Sequence, residues 1–129
     1  MGTRSIIAKS QMSGSFIAIY CHWDGYPDCN GRILVNHWTN QKDIDELFSL
    51  GHLSALGHNI RTCSAFGNKE KENRAEVLGN IPIASIIEKF SIGGIEYLYV
   101  WNYDNTWTCY NSLMEVIDLS GFVMRGPVP

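Results

Sequence analysis

Basic charge is what this sequence is shortest of. Ten Lys and Arg stand against thirteen Asp and Glu in 129 residues, giving a formal charge of −3, and the ten are scattered along the chain. A duplex nucleic-acid binder needs clustered cations to displace counterions from phosphates, so that class is excluded. No apolar run approaches the roughly eighteen residues of a membrane-spanning helix. The opening Met1-Gly2-Thr3-Arg4-Ser5-Ile6-Ile7 has neither the apolar core of a secretory signal nor a full myristoylation motif, since Ile6 replaces the required Ser or Thr. The expectation is a cytoplasmic protein without a membrane partner. Close cysteine pairs are missing too: Cys21, Cys29, Cys63 and Cys109 are spread too widely for a zinc site, and without an export signal the reducing cytosol is expected to keep them as thiols, so no disulfide framework is predicted. They read as buried thiols. Phosphate-cradling glycine loops are also absent, because Gly93-Gly94 follows an expected helix instead of opening one. The sequence therefore implies no metal and no cofactor.

What is present suits one domain over residues 1–129, with 45% apolar and 18% charged residues, enough to bury a core unaided. Thr3 to Lys9 and Ser15 to His22 are β-rich runs joined by Gln11-Met12-Ser13-Gly14, which predicts an antiparallel hairpin. After Pro27, the spacing of Ile33, Leu34, His37 and Trp38 predicts a short amphipathic helix. A second helix is predicted from Asn40, with Asp43, Asp45 and Glu46 early, Ile44, Leu47 and Phe48 on one face and Gly51 as its stop. Residues 59–79 show neither period and read as a long solvated connection. Pro82 opens a further predicted helix holding Ile83, Ile86, Ile87 and Phe90. A second hairpin alternates Tyr97, Tyr99, Trp101 and Tyr103 with Leu98 and Val100, turns at Asp104-Asn105 and returns through Trp107 and Cys109. The segment Leu113 to Leu119 reads as a short helix. Two hairpins around a helical middle predict an α+β fold: an antiparallel sheet of about four strands, with short helices packed on one face. Its free face would carry the aromatic parity of the second hairpin, where Tyr99 and Trp101 become candidates for stacking on a ligand or partner.

Chemistry concentrates in Cys21-His22-Trp23-Asp24-Gly25-Tyr26-Pro27, where the second strand runs into a loop, the usual place for binding and catalytic groups. Asp24-Gly25 is a turn pair and Pro27 stiffens the exit. Trp23 follows the strand directly and suits a sheet–helix interface, whereas Tyr26 sits beyond the turn. Arg4 begins the neighbouring strand, where its guanidinium fork fits phosphate or carboxylate. Arg4, His22, Asp24 and Tyr26, with His37 on the following helix, form the candidate binding set. A thiol nucleophile is disfavoured, because Cys21 and His22 point to opposite faces of a regular strand. A general base at His22 or His37, oriented by Asp24, describes a small nucleotide hydrolase or transferase.

The layout formed by Met1-Gly2-Thr3-Arg4-Ser5, Ala18-Ile19-Tyr20-Cys21-His22-Trp23-Asp24-Gly25-Tyr26-Pro27, Leu34, His37-Trp38, Leu47 to Gly51, Ser54-Ala55-Leu56 and Glu96-Tyr97-Leu98-Tyr99-Val100-Trp101 resembles a group of small proteins of bacteriophages, prophages and other mobile elements. The His-Trp-Asp-Gly-Tyr-Pro string is its most specific part. The resemblance implies an accessory protein of the host cytoplasm acting in counter-defence, and it supplies no catalytic residues. Together with the lack of a catalytic set, it leads to the expectation of a non-enzymatic inhibitor. Such a protein would sequester a small signalling nucleotide, in a pocket or at a homodimer interface, or block a host defence protein. A structural virion component is the remaining alternative.

Overall fold

The computed structural model describes residues 3–67, 69–90 and 93–123. The Met1-Gly2 start and the Pro127–Pro129 end lie outside the described residues. Strands β1 (Arg4–Ser10) and β2 (Phe16–Cys21) form the expected hairpin, in register from Ser5 opposite Cys21 to Ser10 opposite Phe16. A π-helical turn at Pro27–Gly31 runs into α1 (Arg32–His37). Helix α2 (Gln41–Ser49) begins where the Asp43 amide donates to Asn40 Oδ1 at 2.9 Å. It ends at Gly51, whose φ of 79° and close approach to the Asn73 carbonyl exclude any side chain. β3 (Leu53–Ala55), β4 (Ser64–Ala65) and β5 (Glu76–Val77) follow, with a 3₁₀ turn at Lys71–Asn73 before β5. Two more 3₁₀ turns (Ile83–Ser85 and Ile87–Lys89) lead to β6 (Ile95–Trp101), β7 (Trp107–Asn111) and β8 (Val116–Ile117).

The fold is α+β, but the four-stranded antiparallel sheet is replaced by one mixed sheet of eight strands, ordered β4-β3-β2-β1-β6-β7-β8 with β5 also on β2. β1 pairs antiparallel with β2 and parallel with β6. The physical reason lies in the side chains. Ile6 and Ala8 on one side of β1 and Ile7 on the other are all fully buried, as are Leu98 and Val100 against Tyr99 on β6. Strands apolar on both sides belong inside a sheet covered on both faces. The two hairpins therefore join through their apolar strands.

Both faces of the inner strands are accordingly covered, and among the described residues Tyr99 and Trp101 lie on no free face. On one side α1 and α2 pack Leu34, Trp38, Ile44, Leu47 and Phe48 onto Ile7, Ile19, Tyr99 and Trp101. On the other, the segment expected as a helix after Pro82 lies down as 3₁₀ turns, pressing Ile86 and Phe90 onto Ile6, Ala18, Tyr20 and Leu98. The Leu113–Leu119 segment is not helical: Met114 turns at φ 63° and the chain returns as edge strand β8. Among the described residues no helix is long and apolar enough to cross a membrane.

Candidate functional site

The His22–Pro27 string is clamped by its own backbone. His22 and Trp23 amides donate to Leu53 and Ser54 carbonyls at 3.0 and 2.9 Å, and the Gly25 amide donates to Thr3 O at 2.8 Å. That last approach requires glycine, because a Cβ would stand 2.7 Å from Thr3 O and 2.8 Å from Ser5 Cβ. Asn30 Nδ2 donates to Trp23 O at 3.2 Å, and the buried Tyr99 hydroxyl donates to Gly25 O at 2.6 Å. Asp24 sits in the left-handed region at φ 60°, a conformation Asp tolerates better than most residues. The result is a rigid loop whose side chains point outward: Trp23 is 43% and Tyr26 38% exposed. Trp23 thus does not fill the sheet–helix interface, a place taken by Trp38 and Trp101.

Arg4 and His22 flank one end of the sheet, as the hairpin register requires. His22 Nδ1 and the Tyr20 hydroxyl share a hydrogen bond at 2.7 Å, and Trp23 meets the imidazole edge-on with ring centres 4.7 Å apart. Arg4 donates from Nη1 to Gly93 O at 2.7 Å. Its positive charge opposes the rise that burial imposes on the Tyr20 hydroxyl pKa. Structure thus gathers Arg4 and His22 around Tyr20 and sets Asp24 near Tyr26, where the Asp24 charge is the main cause of a raised Tyr26 pKa. His37 goes elsewhere, stacking on His58 with ring centres 4.2 Å apart; burial, then His58, lowers its pKa. Tyr99 and Trp101 are core residues and offer no ring face to a ligand.

Tyr20 also opens onto a cleft of about 940 Å³ that none of these residues announces. Small-molecule sites span roughly 300–1,000 Å³. Tyr20, His52 and Phe90 are its buried side; Phe66 and the 71–77 segment line it as well, and the Ile87–Lys89 turn contributes Lys89. Three cations (Lys71, Arg74, Lys89) and two carboxylates (Glu72, Glu76) line it.

His52 is held by three hydrogen bonds. The turn at Gly51 lets the His52 amide donate to Asn73 O at 2.7 Å, while the His52 carbonyl accepts from the Phe66 amide at 3.1 Å. Its Nδ1 accepts from the Tyr20 main-chain N–H at 3.0 Å, so the ring proton resides on Nε2. Nε2 stands 3.8 Å from Glu76 Oε2, beyond hydrogen-bond reach. Burial lowers the His52 pKa and raises that of Glu76. The pair is a neutral imidazole beside a carboxylate, not an ion pair, because a second ring proton would confront the Tyr20 N–H.

The thiols are poor nucleophiles. Burial pushes Cys21 up to about 11 and Cys109 up to about 12, leaving almost no thiolate at neutral pH. Among the described residues no three His, Cys, Asp or Glu side chains converge in a metal-binding group. Sequence reasoning missed His52, Lys71, Arg74, Glu76 and Lys89. The mixed-charge run looked like a solvated face, and the one available signal was a histidine placed directly after a glycine helix stop. Comparison of the chain with protein-family models, curated proteins and solved structures finds no match.

Proposed function

We propose that this protein binds a small nucleotide in the cleft beside Tyr20 and, as an accessory protein of a phage or mobile element, thereby withdraws a signalling nucleotide from a host defence system. The observation that carries the reading is one cleft of ligand size holding aromatic rings, a buried histidine and three cations. Rings suit a base and cations suit phosphate. The counter-defence role rests on the resemblance carried by the His22–Pro27 string. Binding is favoured over turnover by the hydrogen bonds. The lone pair of His52 is taken by the Tyr20 amide, His22 Nδ1 is paired with the Tyr20 hydroxyl, and His37 stacks on His58, so none of the three is set against Asp24 as a base. A second reading, blockade of a host protein, is favoured only by the outward rings of Trp23 and Tyr26.

The test is a melting-temperature screen with mono-, di- and cyclic nucleotides, with each ligand recovered and checked for chemical integrity. A ligand at a hundred times its Kd adds about 2.7 kcal/mol, roughly a 10 °C shift for a domain of this size. Lys89→Ala should reduce that shift. A panel without any shift, or a ligand returned cleaved, refutes nucleotide capture; a co-eluting host protein that Trp23→Ala releases supports the second reading instead.

A further inference from the structure

We infer that His52 reads the base of the captured nucleotide: its Nε2–H and the adjacent Glu76 carboxylate take an acceptor-beside-donor edge of a nucleobase, while Lys71, Arg74 and Lys89 take the phosphate. The inference rests on the nucleotide-capture reading of the same cleft. It starts from an unpartnered group. The His52 side chain is 10% exposed, its Nδ1 is occupied by the Tyr20 amide, and among the described residues its Nε2–H has no hydrogen-bond acceptor in reach, Glu76 Oε2 standing 3.8 Å away. The Nε2–H meets the solvent of the cleft, since Ser5 Oγ is the one buried side-chain polar atom without a partner among the described residues, and a ligand acceptor entering the cleft takes the place of that water.

Which acceptor follows from Glu76. Its carboxylate oxygen is 3.8 Å from Nε2, so a phosphate bound at His52 would face a like charge. A neutral heterocycle avoids that repulsion and uses both groups, because nucleobase edges place an acceptor next to an N–H donor. The acceptor takes the His52 proton and the donor serves Glu76. Phosphate is then left to the exposed cations at the rim. The order is base inward and phosphate outward. A neutral His52 is required throughout, and the burial that lowers its pKa keeps it so.

Removing His52 outright would also free the Tyr20 amide, so the variant must keep that bond. His52→Asn does so: the asparagine Oδ1 takes the place of Nδ1 and accepts from Tyr20, while nothing reaches the Nε2 position. Calorimetric titrations would compare the wild type, His52→Asn and Lys89→Ala, using the 5′-monophosphates of adenosine, guanosine, cytidine and uridine with ribose 5-phosphate as the baseless probe. The expected result is a loss of about tenfold or more for the nucleotides in His52→Asn, with ribose 5-phosphate, a weaker ligand, unchanged. As a check that needs no variant, nitrogen NMR of the wild type should show a protonated Nε2 whose resonance shifts with nucleotide and not with ribose 5-phosphate. His52→Asn that binds nucleotides as tightly as wild type while Lys89→Ala weakens them overturns the inference and leaves capture standing. Equal losses for ribose 5-phosphate and nucleotides also overturn it. If no nucleotide binds any of the proteins, the capture reading itself fails.

Discussion

Tyr99→Phe removes a hydroxyl that bonds the Gly25 carbonyl and sits beside the Cys109 thiol, and the shape of the His22–Pro27 loop depends on the first of these contacts. The Tyr99 ring is fully buried and its hydroxyl donates to the Gly25 carbonyl at 2.6 Å. Phenylalanine keeps the ring and removes only the oxygen, so cavity formation is minor. What remains is a buried carbonyl without a donor, which costs about 1–3 kcal/mol. With a urea m-value of about 2 kcal/mol/M, the midpoint should fall by about 0.5–1.5 M. Hydrogen exchange should also quicken at the Gly25 amide, whose bond to Thr3 O is held by the same clamp. Burial holds the Tyr99 hydroxyl pKa far above its ordinary value, so the donor is protonated throughout the usual assay range. The difference between wild type and variant should therefore not vary with pH between about 6 and 9. An unchanged midpoint with unchanged Gly25 exchange would refute the clamp.

Gly25→Ala should be worse than Tyr99→Phe, because the new Cβ meets the Thr3 carbonyl at 2.7 Å; a loss of at least about 3 kcal/mol or insoluble protein is expected on denaturation. Trp23→Ala, at a ring 43% exposed, should cost about 1 kcal/mol, against about 3–5 kcal/mol for the buried Trp101→Ala; equal thermal losses would show that Trp23 is a core anchor after all. Acid should destabilise the protein. The folded pKa of His52 is below its ordinary 6.5, so the unfolded chain binds the extra proton first and stability falls as pH drops below about 6.5. His37 acts in the same direction, whereas the raised Glu76 pKa acts oppositely in the lower carboxylate range. His52→Asn should flatten the stability-against-pH curve between about 6.5 and 5 without abolishing the His37 part, and an unaltered slope counts against the buried neutral imidazole.

How far the sequence discloses the fold depends on how local each signal is. The β1–β2 hairpin and the Asn40-to-Gly51 helix are legible because turn length, capping and apolar spacing all act within a few residues. The parallel β1–β6 pairing brings Arg4 beside Ile95 and Lys9 beside Trp101, across a separation no local pattern spans. Its trace is compositional: Ile6-Ile7-Ala8 and Leu98-Tyr99-Val100-Trp101 are apolar on both parities, which points to inner strands more than to the open aromatic face expected of them. Arg4 and His22 are brought together by the hairpin, whose register sets Ser5 opposite Cys21. The cleft was not legible. Tyr20, His52, Glu76 and Lys89 come from four separate stretches of the chain, and Lys71 and Arg74 belong to a run whose charges alternate as a solvated surface would.

Tyr20 explains how a loop and a cleft that share no lining side chain can act as one unit. Its main-chain N–H fixes the tautomer of His52, and its hydroxyl holds His22, the first residue of the clamped string. Any shift of the string that pulls His22 away frees the Tyr20 hydroxyl beside the cleft. Conversely, a ligand that engages this hydroxyl competes for His22. Folding accounts for Gly25, through the close approach of Thr3 and Ser5, and for His22, through Tyr20. It does not account for the outward side chains of Trp23, Asp24 and Tyr26, which make few contacts in a loop held rigid by its backbone. The string thus divides into residues fixed by the fold and residues whose side chains face solvent, and substitutions in the first group should cost stability while those in the second leave it nearly unchanged.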